Sequence, residues 1–390
     1  EFTNPLFLKI VCQSMKNNKI SEFPKGILGF NTLFEYYLQS IESIIAKKLN
    51  MFNTIPIRQS IINFTEALYP DNLWGIPYME ALSIFDKFDN KKGDMTLMDL
   101  FITEGLLSID YEVSTNNDSF EVVRFVFERF GDYCIANNIL KNYKTQAELE
   151  KPFLEGGEIS NILKNKYANR GIIEALSIEI PTKYGKEFID YLNFSETDFL
   201  AKNWYLETCF LNTILMRDGS SITERSLELL NGLLRNRLRN NSMDVLIRLA
   251  IEPTHPWNAE FLNAQLKNKA LATRDAFWST YIAVNDYAED EEQLESPIRM
   301  LLNWALNTKL DGVDQERLRL LSITFLWFTT TSNRLLRSQA TKALSKVLFM
   351  IKESIPTFIT EFSSIDDMYL VSSLYAAIYG AVVKIDDNNL

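Results

Sequence analysis

Histidine, cysteine, glycine and proline are all scarce: one, three, 14 and 11 in 390 residues. The single imidazole, His255, cannot furnish a histidine zinc cluster, and a Ser-His-Asp triad would have to be built around it alone. Cys12, Cys134 and Cys209 are odd in number, far apart and never arranged as Cys-x-x-Cys, which argues against a disulfide framework or a cysteine zinc site. They read as three buried free thiols in a reducing cytoplasm. So little glycine and proline favours long helices over a turn-dense all-β fold. No apolar run reaches the roughly 18 residues of a membrane span. The richest stretch, Leu320 to Phe328, is interrupted by Ser322 and Thr324. No basic-then-apolar leader opens the sequence. Also missing are the Gly-x-x-x-x-Gly-Lys-Ser/Thr loop that cradles phosphate, the Gly-x-Gly-x-x-Gly turn and the Gly-x-Ser-x-Gly elbow.

What is present is an ordinary globular composition, 46% apolar and 23% charged. Lys and Arg number 40 against 51 Asp and Glu, a net charge of −11 that argues against a dedicated nucleic-acid binder or a polybasic membrane anchor. At about 150 residues per domain, the length gives a prior of two or three domains. The first residue is Glu1, and an apolar helical pattern follows within a few positions. We therefore expect a fragment of a longer protein with its N-terminal part missing.

Periodicity divides the chain into three parts. Residues 1–50 carry two helices, near 5–20 (Leu6, Phe7, Ile10, Val11) and 31–49. Residues 51–150 change character. Helices are expected near 56–69, 77–88 and 97–106, then strands over 108–113 and 121–127 around the polar tip Ser114–Ser119, then a helix over 128–140. Helices, a β-hairpin and a closing helix are the layout of a winged-helix domain. Residues 151–390 read as helical throughout, with expected helices near 160–180, 196–216, 221–239, 242–251, 314–330, 333–352 and 366–384 among others. Breaks are expected at Gly156-Gly157, Pro181, Asp311-Gly312 and Pro356. Consecutive amphipathic helices with short polar links predict an α-solenoid of HEAT/TPR-like helical pairs. Ala340 and Ala343 would let neighbouring helices approach closely. The expected fold class is thus mainly α, a winged helix followed by an α-solenoid.

The residues that could carry chemistry are few. His255, between Thr254 and Pro256, reads as a capping residue or one packed on Trp257 rather than a catalytic base. Asp86, Asp89, Asn90, Gly93 and Asp94 lack the spacing of a calcium loop and read as solvated. Across 51–150 there are 8 Lys/Arg and 16 Asp/Glu, and the candidate recognition helix carries Asp99 and Glu104, the wrong sign for phosphate. Arg217, Arg225, Arg235, Arg237, Arg239 and Arg248 form an arginine-rich stretch in which Arg235 and Arg239 would share a helix face. It reads either as a surface for phosphate or an acidic partner, or as a solvated face paired with Glu224 and Glu228.

Several segments resemble a known family. Thr3-Asn4-Pro5-Leu6-Phe7-Leu8-Lys9-Ile10 is similar to the Gly-x-Pro-Leu motif that follows the nucleotide-binding core of STAND-class NTPases, with Thr3 in place of the glycine. Phe125-Val126-Phe127-Glu128-Arg129-Phe130-Gly131-Asp132-Tyr133 resembles the end of the winged helix in bacterial NACHT-type STAND proteins. Glu128 and Arg129 stand where many relatives have Met-His-Asp. His255–Ala259, Arg274–Trp278 and Ser332–Leu344 are similar to segments of large bacterial NACHT-like proteins, including AVAST-type antiviral sensors. The resemblance implies that Pro5 lies on the adenine side and Arg129 on the phosphate side of an upstream nucleotide site. It also implies ATP or ADP with Mg in the full-length parent and none bound by this chain alone. The helical array would sense a phage protein, with homo-oligomerisation on activation and no membrane or nucleic-acid partner. On this reading the chain is not itself an enzyme. The competing classes are an α-solenoid scaffold without a nucleotide switch and a winged-helix transcription regulator.

Overall fold

The computed structural model describes Leu8, Cys12, Met15, Lys16 and residues 30–70, 75–89, 95–113, 119–192, 204–235, 239–286 and 296–387. Pro5, the hairpin tip 114–118, Arg237 and the acidic stretch 289–292 lie outside the described residues. Among the described residues the protein is mainly helical with one three-stranded sheet, and no helix is long and apolar enough to cross a membrane. The chain divides into two compact units, Glu1–Arg225 and Ser226–Leu390.

In the first unit, α1 (Phe30–Lys48) and α2 (Ile55–Leu68) precede the short strand β1 (Ile76–Pro77). Then come α3 (Tyr78–Asp86), α4 (Leu97–Thr103), the hairpin β2 (Leu107–Val113) and β3 (Ser119–Phe125), and α5 (Glu128–Leu140). The sheet order is β1-β3-β2, all antiparallel, with Ile76 opposite Val123 and Leu107 opposite Phe125. Helical spacing on α1 buries Phe34, Leu38, Ile41 and Ile45 against Phe64, Phe85, Phe101 and Phe130. Their rings meet edge-on or tilted at 5.4 Å, as in Phe34–Phe130, Phe64–Phe125 and Phe85–Phe101. Each such buried ring contributes roughly 1.5–3 kcal/mol. Arg58 on α2 binds Glu35 on α1 bidentately, at 2.9 and 3.0 Å, and also contacts Glu42, fixing the pair of helices. Asp99 sits in a capping box: its amide donates to Thr96 Oγ1 (3.1 Å) and its carboxylate accepts from the Thr96 amide (2.9 Å).

After α5 come α6 (Gln146–Leu149), α7 (Glu158–Lys164), α8 (Arg170–Tyr184) and α9 (Trp204–Ile214). The single helix expected over 160–180 is two. Asn169 ends the intervening turn by donating to the Ile162 carbonyl (3.0 Å), so the break has its own hydrogen bond. Pro181 does not end α8 as expected. It lies in the last turn, where only one backbone bond is forfeited, and the helix stops at Gly185, whose φ of +66° suits glycine.

α10 (Glu224–Leu233) spans the junction of the units, and α11 (Arg239–Leu249) follows. The helix expected over 221–239 therefore ends early. Arg235 and Arg239 share no helix face, because Arg239 starts α11 and its Nε donates back to the Leu234 carbonyl (3.0 Å). The second unit continues with α12 (Ala259–Lys267), α13 (Leu271–Arg274), a π turn (Asp275–Ser279) and α14 (Thr280–Asp286). Then come α15 (Pro297–Asn307), α16 (Gln315–Phe328), α17 (Arg334–Met350), α18 (Ile355–Phe362) and α19 (Met368–Asp387). α16 is the centre. Every residue from Leu320 to Phe328 is buried, and Ser322 and Thr324 satisfy their hydroxyls on the Leu318 and Leu320 carbonyls. α12, α17 and α19 surround it. Ala340 and Ala343 are fully buried on α17, as their size suggested. Pro356, expected only as a break, is the second residue of α18, where a missing amide costs nothing.

Candidate functional site

The polar residues of the first unit converge where α5 and α8 cross near the end of β3. The crossing is close because Gly171 has no side chain. A Cβ there would lie 1.8 Å from Asp132 Oδ2. α5 turns Glu128, Arg129 and Asp132 toward this junction, one helical turn apart, and α8 contributes Arg170 and Glu174. A cleft of about 280 Å³ opens beside Asp132, lined by Arg124, Glu128, Leu68 and Ile172. A smaller recess of about 30 Å³ lies toward Glu174, Gly171 and Met216.

Arg129 is half-exposed at this junction. Its Nη2 lies 3.5 Å from Glu174 Oε2 and its Nη1 3.4 Å from Met216 Sδ, while Arg170 Nε donates to Glu174 Oε1 at 2.9 Å. Two cations thus share one buried carboxylate, leaving guanidinium donors directed to solvent. Asp132 is the perturbed group. Burial pushes its carboxyl up to about 7, the charges of Glu128 and Glu174 add to the rise, and Arg129 opposes it. The junction can therefore change charge near neutrality beside an arginine fork, an arrangement suited to docking an anionic group.

Other candidates take structural places. His255 is buried; its Nδ1 accepts from the Trp257 amide at 3.0 Å and its ring meets the Trp257 ring edge-on at 5.8 Å, the capping and packing expected of it. Arg217 is not part of an exposed basic surface: it is fully buried against Glu187. Arg225 pairs with Asp190 (2.9 Å). Asp89 accepts from the Leu97 amide at 3.2 Å. Of the three thiols expected to be buried, Cys12 is exposed. Cys134 and Cys209 are buried, and burial pushes both thiols up, Cys209 to about 12 with a Ser177 hydrogen bond opposing. Among the described residues no group of three His, Cys, Asp or Glu could hold a metal ion.

Of the two residues assigned from the sequence, Arg129 is brought into this cluster, and Pro5 lies outside the described residues. Sequence reasoning missed Asp132, Gly171 and Glu174. Asp132 closes the same Glu-Arg-Phe-Gly-Asp run that drew attention to Arg129. Gly171, a glycine at the head of an apolar helical pattern, is the signal that two backbones approach there. Comparison with protein-family models, with curated proteins and with solved structures finds no match.

Proposed function

We propose that this chain is a non-catalytic relay and sensor from a bacterial NACHT-type STAND NTPase, acting in antiviral defence in the cytoplasm. In this reading residues 51–150 are a winged helix, and residues 151–390 are a HEAT-like helical array that binds a phage protein. The parent's upstream module binds ATP or ADP with Mg, and ligand binding releases an ADP-held state that oligomerises. The observation that carries the reading is the order helix, strand, two helices, hairpin with sheet order β1-β3-β2, followed directly by α5 with Arg129 half-exposed. This order is the one expected of a winged helix, and an exposed arginine just after the hairpin supports the phosphate-side role that the resemblance implies for Arg129. A ligand shifts such a switch only by its preference for the open state.

A DNA-reading role is less well supported. The helix in the recognition position, α4, has no cation, and its Asp99 is spent on the capping box.

The test uses the full-length parent purified with its bound nucleotide. Arg129→Ala should release ADP at least tenfold faster than the parent, with the melting temperature of the helical part unchanged. ATP hydrolysis by the present chain alone, well above buffer, would overturn the reading. So would unchanged ADP release in Arg129→Ala.

A further inference from the structure

We propose that the groove between α17 and α19 is a binding site for an acidic segment of a protein partner. The argument begins with sequence. In a chain whose carboxylates outnumber its cations, Arg334–Met350 holds four cations and no carboxylate. One of them, Lys346, is consumed by the structure, donating to the Leu306 and Thr308 carbonyls at 3.0 and 2.7 Å at the end of α15. The other three, Arg334, Arg337 and Lys342, line a groove of about 550 Å³ whose far wall is α19. Lys384 on α19 adds a fourth positive charge, and among the described residues no lining side chain is acidic.

The groove is built rather than incidental. Arg337 is held over the Tyr369 ring at 4.2 Å and donates to the Thr331 carbonyl at 2.7 Å, which fixes its position at one end. Further along, a Cβ on Gly380 would lie 2.7 Å from Ser345 Oγ. The glycine thus lets α19 approach α17 and form the floor. These two contacts also show that the helices run in the same direction, so the cations follow one line. From Arg334 to Ser345 that line is about 16 Å at 1.5 Å per helical residue. Among the described residues, Arg334, Lys342 and Lys384 have no carboxylate partner, so their charge faces solvent.

Charge complementarity selects an anion, and length with net charge selects its kind. About 16 Å accommodates roughly five residues of extended peptide at ~3.3 Å each. It accommodates only a few nucleotides, and the net charge of −11 repels a dense polyphosphate at long range while tolerating a few carboxylates. The proposal rests on the sensor reading only for the partner's biological role. The site itself is read in this chain alone, so its failure is distinct from failure of the nucleotide test.

The experiment is fluorescence anisotropy of a labelled hexaglutamate peptide with the present chain. Arg334→Glu/Lys342→Glu/Lys384→Glu is compared with a control of equal charge change elsewhere, Lys87→Glu/Lys151→Glu/Lys164→Glu. All six positions are exposed, and circular dichroism melting confirms that both variants fold. Saturable, salt-weakened binding that falls at least tenfold in the groove variant and less than twofold in the control is expected. Lys342→Glu alone should cost about threefold, which keeps the test decisive if the triple variant misfolds. Three outcomes overturn the proposal: no saturable binding, equal loss in both triple variants, or tighter groove-dependent binding of octathymidylate or tripolyphosphate than of hexaglutamate.

Discussion

Arg217 and Glu187 form a fully buried bidentate ion pair, Nη1 to Oε2 at 2.9 Å and Nη2 to Oε1 at 3.0 Å. Two more donors of the guanidinium are used as well, Nε on Ser221 Oγ at 3.2 Å and Nη2 on the Ser221 carbonyl at 2.5 Å. Removing one ion from such a pair strands the other charge without water, a loss on the order of 3–5 kcal/mol. Glu187→Gln should therefore lower the unfolding free energy of the first unit by about 3 kcal/mol in urea titration. Arg217→Met/Glu187→Leu should recover part of that loss, since no charge then remains buried. A double variant less stable than Glu187→Gln would contradict this account.

Gly171 and Asp132 should be coupled through space. A methyl at 171 meets the Asp132 carboxylate, a short side chain that must rotate away. Gly171→Ala gains helix propensity of at most about 1 kcal/mol, and overpacking costs ~1–3 kcal/mol. Net destabilisation is expected in the wild-type background and net stabilisation in the Asp132→Ala background. A double-mutant cycle by thermal unfolding measures the difference, expected to be about 1 kcal/mol or more. Additivity of the two substitutions would show that α5 and α8 do not meet through these residues.

Asp132 also gives a pH dependence with a definite sign. Its carboxyl rises from an ordinary 3.8 to about 7 in the folded chain. The folded state then holds the proton more tightly than the unfolded state. The contribution is fully present below about pH 4 and is lost as pH rises through about 7. Asp132→Asn keeps the neutral form at every pH. Its stability relative to wild type should be near zero at pH 4 and grow to roughly 2–4 kcal/mol by pH 8. Chemical denaturation of both proteins at pH 4, 6 and 8 reads this directly, and a flat difference across the three would remove Asp132 as the titrating group.

Much of the fold could be read from the sequence because period and turn chemistry agreed there. The strand pair, expected over 108–113 and 121–127 and found at Leu107–Val113 and Ser119–Phe125, and the helix Glu128–Leu140 follow from runs of Val, Ile, Phe and Tyr bounded by polar residues. Helix interruptions were harder. Pro181 and Pro356 both suggest a stop, yet one sits in a last turn, where a single backbone bond is forfeited, and the other in a first, where the amide has no intrahelical acceptor anyway. The arginine stretch misled because spacing says nothing about a distant partner: Arg217 finds Glu187, 30 positions away, and is buried. The candidate site was half legible for the same reason. Arg129 and Asp132 lie in one run, whereas Gly171 and Glu174 reach them only through the crossing of α5 with α8.

In the second unit, two buried tryptophans should respond unequally to the same substitution. Trp278 Nε1 donates to the Trp327 carbonyl and to Thr330 Oγ1, both at 3.0 Å, and Thr330 Oγ1 also donates to that carbonyl at 2.8 Å. Trp278→Phe therefore leaves the two acceptors bonded to each other, and its cost is chiefly the cavity, ~1–3 kcal/mol. Trp327 Nε1 donates to Asn263 Oδ1 at 3.0 Å, and its ring lies 5.4 Å from the buried guanidinium of Arg274. Trp327→Phe makes a similar cavity, removes that indole donor from a buried amide oxygen and weakens the face under a buried cation. It should cost about 1 kcal/mol more than Trp278→Phe in urea unfolding followed by circular dichroism. The reverse order would mean that the indole donors contribute nothing here and that ring volume alone sets the stability of this core.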